Sequence, residues 1–401
     1  MRNLKKILAL VMALVMSMSL VTIANAADFT DNDDISYEEA ADVMNAIGVI
    51  EGYEDGSFDP NGTLVREEAA TLVTRMLLGD NAGSLGIERS TFDDVLTTRW
   101  SAPAIEYCVS LGIIDGAGDG NFYPAGQLTA VAFAKVLLTA LGYDSDAEGL
   151  VGTSWSVNTS ALATEVGLDN GIEDLVWSAA ITREEAAQMA LNTIKAPLVA
   201  YEGGVTVIVG DTPVSFGSGD AYYITTTLAR EQRISDEQLS NSDDYTVEFG
   251  ERYFPRLRLI RETDEYERPS YTWVYENTEL GTYVNYDLLV ETYTEGVDGR
   301  TLFELLGRST IQRYGLTYYV DGAETDLDKD LLVRSNTSDV GATGNGVLTQ
   351  VFVDHDNEEI IITSINTYLA VAISDYSENN EYATLRVYTG VDSANQVQTR
   401  T

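Results

Sequence analysis

Two stretches of this chain are copies of one another, and that duplication limits the fold more than any other feature. "GVIEGYEDGSFDPNGTLVREEAATLV" begins at Gly48 and "GIIDGAGDGNFYPAGQLTAVAFAKVL" at Gly112. Glycines 48, 52 and 56 recur at 112, 116 and 120, and Phe58, Pro60, Gly62 and Leu64 recur as Phe122, Pro124, Gly126 and Leu128. A more worn third copy follows in "SALATEVGLDNGIEDLVWSAAITREEAAQMALNTI". Aligning Arg183 with Arg66 and Ala130 superimposes three apolar stripes at helical spacing. These are Ala69, Leu72, Val73, Met76 and Leu77, then Phe133, Val136, Leu137, Ala140 and Leu141, then Ala186, Met189, Ala190 and Ile194, with Thr193 interrupting the last. Each copy reads as helix, glycine-rich loop, helix. One such unit cannot bury its stripe alone, whereas three in tandem can share one core.

Helix starts are marked as well. Ser36 with Glu39 reads as a capping box, Ser101 as a cap followed by Pro103 in the first turn, and Thr182 with Glu185 as a second box. That last box raises a question, because Arg183 then opens a helix whose N-terminal dipole disfavours a cation. Two readings stand. Arg183 is a solvated residue paired with Glu184 or Glu185, or it grips an external anion together with the free first-turn N–H groups. Arg66 at the matching place in copy one favours a site.

Ahead of the copies, Arg2, Lys5 and Lys6 precede an apolar run from Ile7 to Ile23 and the small residues Ala24, Asn25 and Ala26. This is the pattern of a secretory signal over residues 1–26, leaving no membrane segment after cleavage. Cys108 is the single cysteine and His355 the single histidine. No intramolecular disulfide can form, and Ser-His-Asp or Cys-His catalysis and histidine zinc sites are removed unless His355 does everything alone. Cys108 reads as a buried small hydrophobe and His355 as part of a hairpin turn. With 64 acidic against 24 basic residues, the formal charge of -40 repels nucleic acid and phosphate polymers. No cofactor is called for. Bridging divalent cations, calcium first, fit the composition, but no EF-hand loop is present.

The three copies resemble S-layer homology (SLH) domains. The residues that carry the resemblance are the F-x-D openings at Phe29–Asp31 and Phe92–Asp94, Trp100, the G-x-x-x-G-x-F-x-P loops and the T-R-A/E-E helix starts. The ending "APLVAY" is similar to that of clostridial surface proteins. The resemblance implies an all-α pseudo-threefold assembly of repeats at 28–80, 90–143 and 144–201. It also implies non-covalent attachment to a secondary cell-wall polysaccharide, often ending in a pyruvylated sugar. Carried over by position, the glycan-binding residues are Arg183, Arg66, Asp94, Trp100, Asp31, Gly52 and Gly116. Trp100 reads equally as core packing. Ala130 replaces the arginine in copy two, Val65 the threonine cap in copy one, and copy three lacks the F-x-P loop. One or two competent grooves are therefore expected, that of Arg183 foremost.

From about Glu202 the pattern turns to alternating, tyrosine-rich β runs, with "GRTLFELLG" as one helix. This predicts an α + β multidomain chain, with a β-rich region at 202–370 and a further β element at 371–401 that ends without a closing strand. The arginines between Arg256 and Arg268 alternate with acids and read as a charged strand or loop. Two functional readings follow: a surface protein for display or S-layer assembly with lateral self-association, or a wall-anchored polysaccharide-acting enzyme. The first is preferred, as no carboxylate pair is singled out by spacing.

Overall fold

The computed structural model describes residues 29–202, 205–209, 212–216, 219–225, 227, 245–344, 346–374, 384–391 and 397–400. The signal segment at 1–26 lies outside them. The described residues divide into two compact units, one from within 22–260 together with 272–281, the other 261–271 with 282–400. Helices fill the N-terminal part and sheets the C-terminal part, an α + β chain.

In the first unit, six helices fall in the stretches read above as copies: α1 (Glu38–Ala46), α2 (Arg66–Leu78), α3 (Ala102–Ser110), α4 (Ala130–Leu141), α5 (Trp155–Val166) and α6 (Arg183–Lys195). The second helix of each copy packs on the first helix of another: α2 on α3, α4 on α5, α6 on α1. The reason lies in the stripes. Every stripe residue named above is buried, including Met76, Phe133, Leu137 and Met189 at 0 % exposure. Each large apolar side chain so buried contributes about 1.5–3 kcal/mol. Thr193 is also buried, and its hydroxyl donates to the Met189 carbonyl (2.8 Å), so the interruption leaves no orphan donor. The Cys108 thiol is buried against Thr74 (3.3 Å), and burial pushes it up to about 12.

Between the helices the chain forms a closed backbone ring. Leu64 N–H donates to Ile181 O, Ile181 N–H to Leu128 O, and Leu128 N–H to Leu64 O, at 3.0–3.1 Å. Single β-bridges flank it on all three sides: Thr63 with Thr182, Val65 with Gln127, Thr129 with Ala180. A second ring repeats the pattern after α6. Leu198 N–H donates to Val247 O, Val247 N–H to Ile224 O, and Ile224 N–H to Leu198 O, all at 2.9 Å. Val247 leads into the short helix α7 (Phe249–Tyr253) as Ile181 leads into α6, and Phe249 N–H bonds Ala196 O as Arg183 N–H bonds Gly62 O. Near this ring, β1 (Val199–Tyr201) pairs antiparallel with β4 (Ala221–Tyr223), while β2 (Val205–Val209) and β3 (Thr212–Phe216) form a hairpin.

Two caps differ from the sequence expectation: Ser101 holds the N-cap position of α3, but its hydroxyl donates to Glu67 and makes no capping bond. Helix α1 starts at Glu38, and Ser36 with Glu39 makes no capping box. The Ser36 amide instead donates to the Glu184 carboxylate (2.7 Å), and Glu39 accepts from Lys195 and Trp273. Tertiary partners displaced the local motif. The box at Thr182 and Glu185 does form, with the Thr182 amide donating to Glu185 at 2.8 Å and the Glu185 amide to the Thr182 hydroxyl at 3.2 Å.

Strands β5 (Leu257–Thr263), β6 (Pro269–Tyr275) and β7 (Thr278–Val284) pair in that order. The second unit is built on a five-stranded sheet. It is formed by β8 (Leu289–Tyr293), β9 (Gly315–Val320), β10 (Ala323–Glu324), β11 (Val347–Asp354) and β12 (Glu359–Asn366), in the order β10-β9-β12-β11-β8. Only β9 and β12 run parallel. Helices α8 (Gly299–Leu306, the predicted helix) and α9 (Arg308–Arg313) lay Leu302, Leu306 and Ile311 against Val351, Ile360 and Ile362 of the sheet. His355 sits in the β11–β12 turn as expected, in contact with the Tyr314 hydroxyl (2.9 Å). Strands β13 (Leu369–Ala372), β14 (Leu385–Val391) and β15 (Val397–Arg400) form a separate antiparallel sheet.

The arginine-rich stretch is only partly the charged strand expected of it. Arg268 is 1 % exposed and forms a fork with Asp264, Nε to Oδ2 at 2.6 Å, while Nη1 donates to Gln350 on β11 (3.3 Å). Removing one partner of a buried pair leaves an uncompensated charge in the interior. Asp264→Ala should therefore lower unfolding free energy by roughly 3–5 kcal/mol, measured by chemical denaturation of the full chain.

Candidate ligand-binding site

The ring brings each second helix start onto the loop of another copy, and the two arginines sit at those junctions. At the first junction, Arg183 Nε donates to Phe58 O (2.9 Å) and Nη2 to Glu51 O (3.2 Å). Its guanidinium lies over Tyr53, 4.6 Å from the ring centroid, and 5.4 Å from that of Phe58. At the second, Arg66 Nε donates to Phe122 O (2.9 Å) and Nη2 to Asp115 O (2.7 Å), over the Phe122 ring at 4.5 Å. In both cases Nη1 has no protein acceptor, and no carboxylate lies within ion-pair distance, among the described residues. Burial pushes the Arg66 guanidinium below its ordinary value, with Asp115 and Asp94 acting in the opposite direction.

The helix N-termini themselves are closed to outside anions, contrary to the sequence expectation. Arg183 and Glu184 amides donate to Gly62 O (2.8 Å) and Pro60 O (3.2 Å), and Arg66 and Glu67 amides to Gly126 O (2.9 Å) and Pro124 O (3.0 Å). The dipole's positive end is answered by carbonyls of the neighbouring loop. Nor is Arg183 a solvated residue, at 8 % exposure. It is a staple between copies whose charge remains unneutralised.

Asp31 and Asp94 shape the loops that receive the arginines. The Asp31 carboxylate accepts from the amides of Phe58 and Asp59 (both 2.8 Å), and Asp94 from those of Phe122 (2.8 Å) and Tyr123 (2.7 Å). These bonds hold Asp59 and Tyr123 in the left-handed region, at φ 56° and 57°, and fix the Phe58 and Phe122 carbonyls. Gly52 and Gly116 are required by close approach. A Cβ there would stand 2.9 Å from the Phe29 ring and 2.3 Å from the Phe92 ring. Trp100 is 62 % exposed, so it is not core packing. It stands between Arg99 and Ser101, both of which bind Glu67, the residue after Arg66.

The seven candidates therefore fall into two sets. Arg183, Asp31 and Gly52 share one junction; Arg66, Asp94, Gly116 and Trp100 share the other. Sequence reasoning missed two residues. Tyr53, under Arg183, gave no repeat signal because copy two has Ala117 at that place, just as copy one has Ser36 where copy two has Trp100. Glu67 is the other, 6 % exposed, with Arg99 donating to both its oxygens (2.7 and 2.6 Å) and Ser101 to one (2.5 Å). At the third junction the Ala130 and Val131 amides bond Ala179 O (3.0 Å) and Trp177 O (2.9 Å), with the same connectivity but no guanidinium.

The S-layer homology domain model matches residues 28–70 and 91–129. A cell surface protein of Thermoanaerobacter kivui is 29 % identical over 248 residues, 61 % of this chain and 31 % of that protein. The surface-layer 125 kDa protein of Lysinibacillus sphaericus is 30 % identical over 196 residues, covering 46 % and 16 %. S-layer protein sap of Bacillus anthracis is 28 % identical over 206 residues, covering 48 % and 24 %. The chain thus spans less than a third of the length of these relatives. It carries S-layer homology domains and is an exported protein of the bacterial cell wall or S-layer. Among the described residues, no helix is long and apolar enough to cross a membrane.

Burial would push the Glu67 carboxyl up, but hydrogen bonds from Arg99 and Ser101 outweigh it and hold it below the ordinary range. A depressed folded-state value means stability that is complete above the unfolded carboxylate value near 4.3 and lost as pH falls below it. Glu67→Gln should flatten that acid limb of the thermal-unfolding profile below about pH 4.3, while lowering the midpoint at neutral pH.

Proposed function

We propose that residues 28–201 form three S-layer homology repeats about a pseudo-threefold axis, anchoring the chain without covalent bonds to a secondary cell-wall polysaccharide. The third repeat is supported by Ile181, which takes the same part in the backbone ring as Leu64 and Leu128. Trp177 and Ala179 carbonyls likewise receive the α4 amides as Pro60 and Gly62 receive those of α6.

The observation that carries the ligand reading is the charge state of the two junctions. In a chain of formal charge -40, Arg183 and Arg66 are held by carbonyls alone, each with one terminal nitrogen uncommitted. A partly buried cation without a counter-charge costs stability, and such sites are retained where an external anion completes them. A guanidinium edge suits a carboxylate, and a sugar carrying one, such as a pyruvylated terminal residue, would present it beside Tyr53 or Trp100 for stacking. The grooves at Arg183 and Arg66 are the competent ones; the Ala130 junction lacks the cation.

The β-rich part then serves display or lateral assembly. Two of its buried carboxylates are already bound within the fold, which favours this over hydrolysis. Asp264 is engaged by Arg268, and Asp354 accepts from the Asp356 and Asn357 amides (both 3.0 Å) at the head of a turn.

The test is sedimentation of the full mature chain with purified walls, before and after stripping the secondary polymer. Binding should require the polymer. Loss of a charge-assisted hydrogen-bond pair should weaken binding about 10- to 100-fold, Arg183→Ala more than Arg66→Ala, with substitutions at Ala130 nearly silent. Equal losses from all three positions, or none, would sink the groove assignment.

A further inference from the structure

A buried tryptophan far beyond the third copy touches both helices that build the Arg183 groove. Trp273, on β6, has no solvent exposure. Its indole Nε1 donates to Glu39 Oε1 on α1 (2.7 Å). Lys195, in the last turn of α6, donates to the same oxygen (3.2 Å) and lies 5.6 Å from the indole centroid. One carboxylate oxygen is thus the meeting point of α1, α6 and β6.

The consequences reach the groove through rigid elements. Arg183 opens α6 and Lys195 closes it, about 18 Å apart along the helix axis. The loop after α1 supplies both carbonyls that receive Arg183, those of Glu51 and Phe58. The segment before α1 is tied to the α6 start by the Ser36 amide on Glu184. Just after Lys195, the Ala196 carbonyl and Leu198 amide are fixed by Phe249 and Val247 in the second backbone ring. Hence α1 and α6 are clamped at the far end by Trp273, Glu39 and Lys195. The Arg66 junction is different. It is built from α2, α3 and the Phe122 loop, and its own clamp is Glu67 with Arg99 and Ser101, beside the arginine.

We propose that Trp273 is a positioning residue for the Arg183 groove and not for the Arg66 groove. The anchoring unit then extends past the three repeats to include the 272–281 segment, and one of its two grooves is set by sequence outside the repeats. This rests on the reading of the junctions as glycan grooves only for its consequence in binding, not for the coupling itself.

The test uses the full mature chain with Trp273→Phe, which keeps an aromatic ring in the core but removes the indole N–H. The first readout is amide hydrogen exchange, which needs no ligand. Exchange should rise at least fivefold at Phe58 and Asp59, the amides held by Asp31, and remain within twofold at Phe122 and Tyr123, held by Asp94. A rise of the same size in both loops would reveal general loosening and overturn the proposal, as would no change in either. Glu39→Gln, which keeps an acceptor for the indole but weakens the Lys195 contact, should give an intermediate selective rise.

The second readout is wall binding in single-groove backgrounds. With Arg66→Ala, adding Trp273→Phe should weaken binding about tenfold, the equivalent of about 1.4 kcal/mol. With Arg183→Ala, adding it should change binding less than twofold. Selective exchange with wall binding indifferent to both arginines would leave the positioning role standing and remove the glycan reading. Equal binding losses in both backgrounds would overturn the positioning role.

Discussion

Three backbone hydrogen bonds, from Leu64 to Ile181, Ile181 to Leu128 and Leu128 to Leu64, are the constraint on which the N-terminal half depends. Each joins a different pair of copies, so none can be made within one repeat. Once they close, the residue two places on from each ring member starts a helix against another copy's loop, and the helix amides find carbonyls there. The exchange of helices (α2 on α3, α4 on α5, α6 on α1) follows from the same geometry. A single repeat would leave both its apolar stripe and its ring donors unsatisfied.

The placement of arginine at a helix start makes sense only within that ring. Taken as an isolated helix, α6 gains nothing from a cation at its first residue. In the assembled unit, the dipole is already answered by Gly62 and Pro60 carbonyls, and the guanidinium extends past it to Glu51 and Phe58. The same disposition at Arg66 shows that the motif is a connection between copies first. Its unneutralised charge is the feature on which the proposed binding of an anionic ligand rests. The copies have meanwhile diverged around this shared frame. Tyr53 against Ala117, Ser36 against Trp100 and Arg against Ala130 leave three junctions of one connectivity with three different surfaces.

The second ring extends the same construction beyond the repeats. Leu198, Ile224 and Val247 reproduce the connectivity of the first ring, down to the helix-start amide of Phe249 on Ala196. Helix α6 therefore runs from one three-way knot to another, and Trp273 locks its far end to α1. In the other unit a polar contact again does what an apolar one would do more simply. Arg268 and Asp264 are buried together beside Gln350. Such a pair adds little over an apolar contact, but losing either partner would strand a buried charge.

Sequence alone determined the elements with local causes. The stripes, the Thr182 cap, the helix at 299–306, the His355 turn and the burial of Cys108 are all set by periodicity or by neighbours a few residues away. The repeat also singled out Arg66 and Gly116 with their counterparts, because duplication makes a constrained position visible twice, whereas Asp31, Asp94 and Trp100 were named only through the family resemblance. What tertiary structure decided is everything that depends on a partner distant in the chain. Ser36 and Glu39 satisfy every local rule for a capping box, yet Glu184, Lys195 and Trp273 outcompete it. Tyr53, Glu67 and Trp273 carry no periodic signal, since their importance lies in which copy or strand closes over them. A hydrogen bond across more than a hundred residues leaves no local trace, and in this chain such bonds decide which residues form a site.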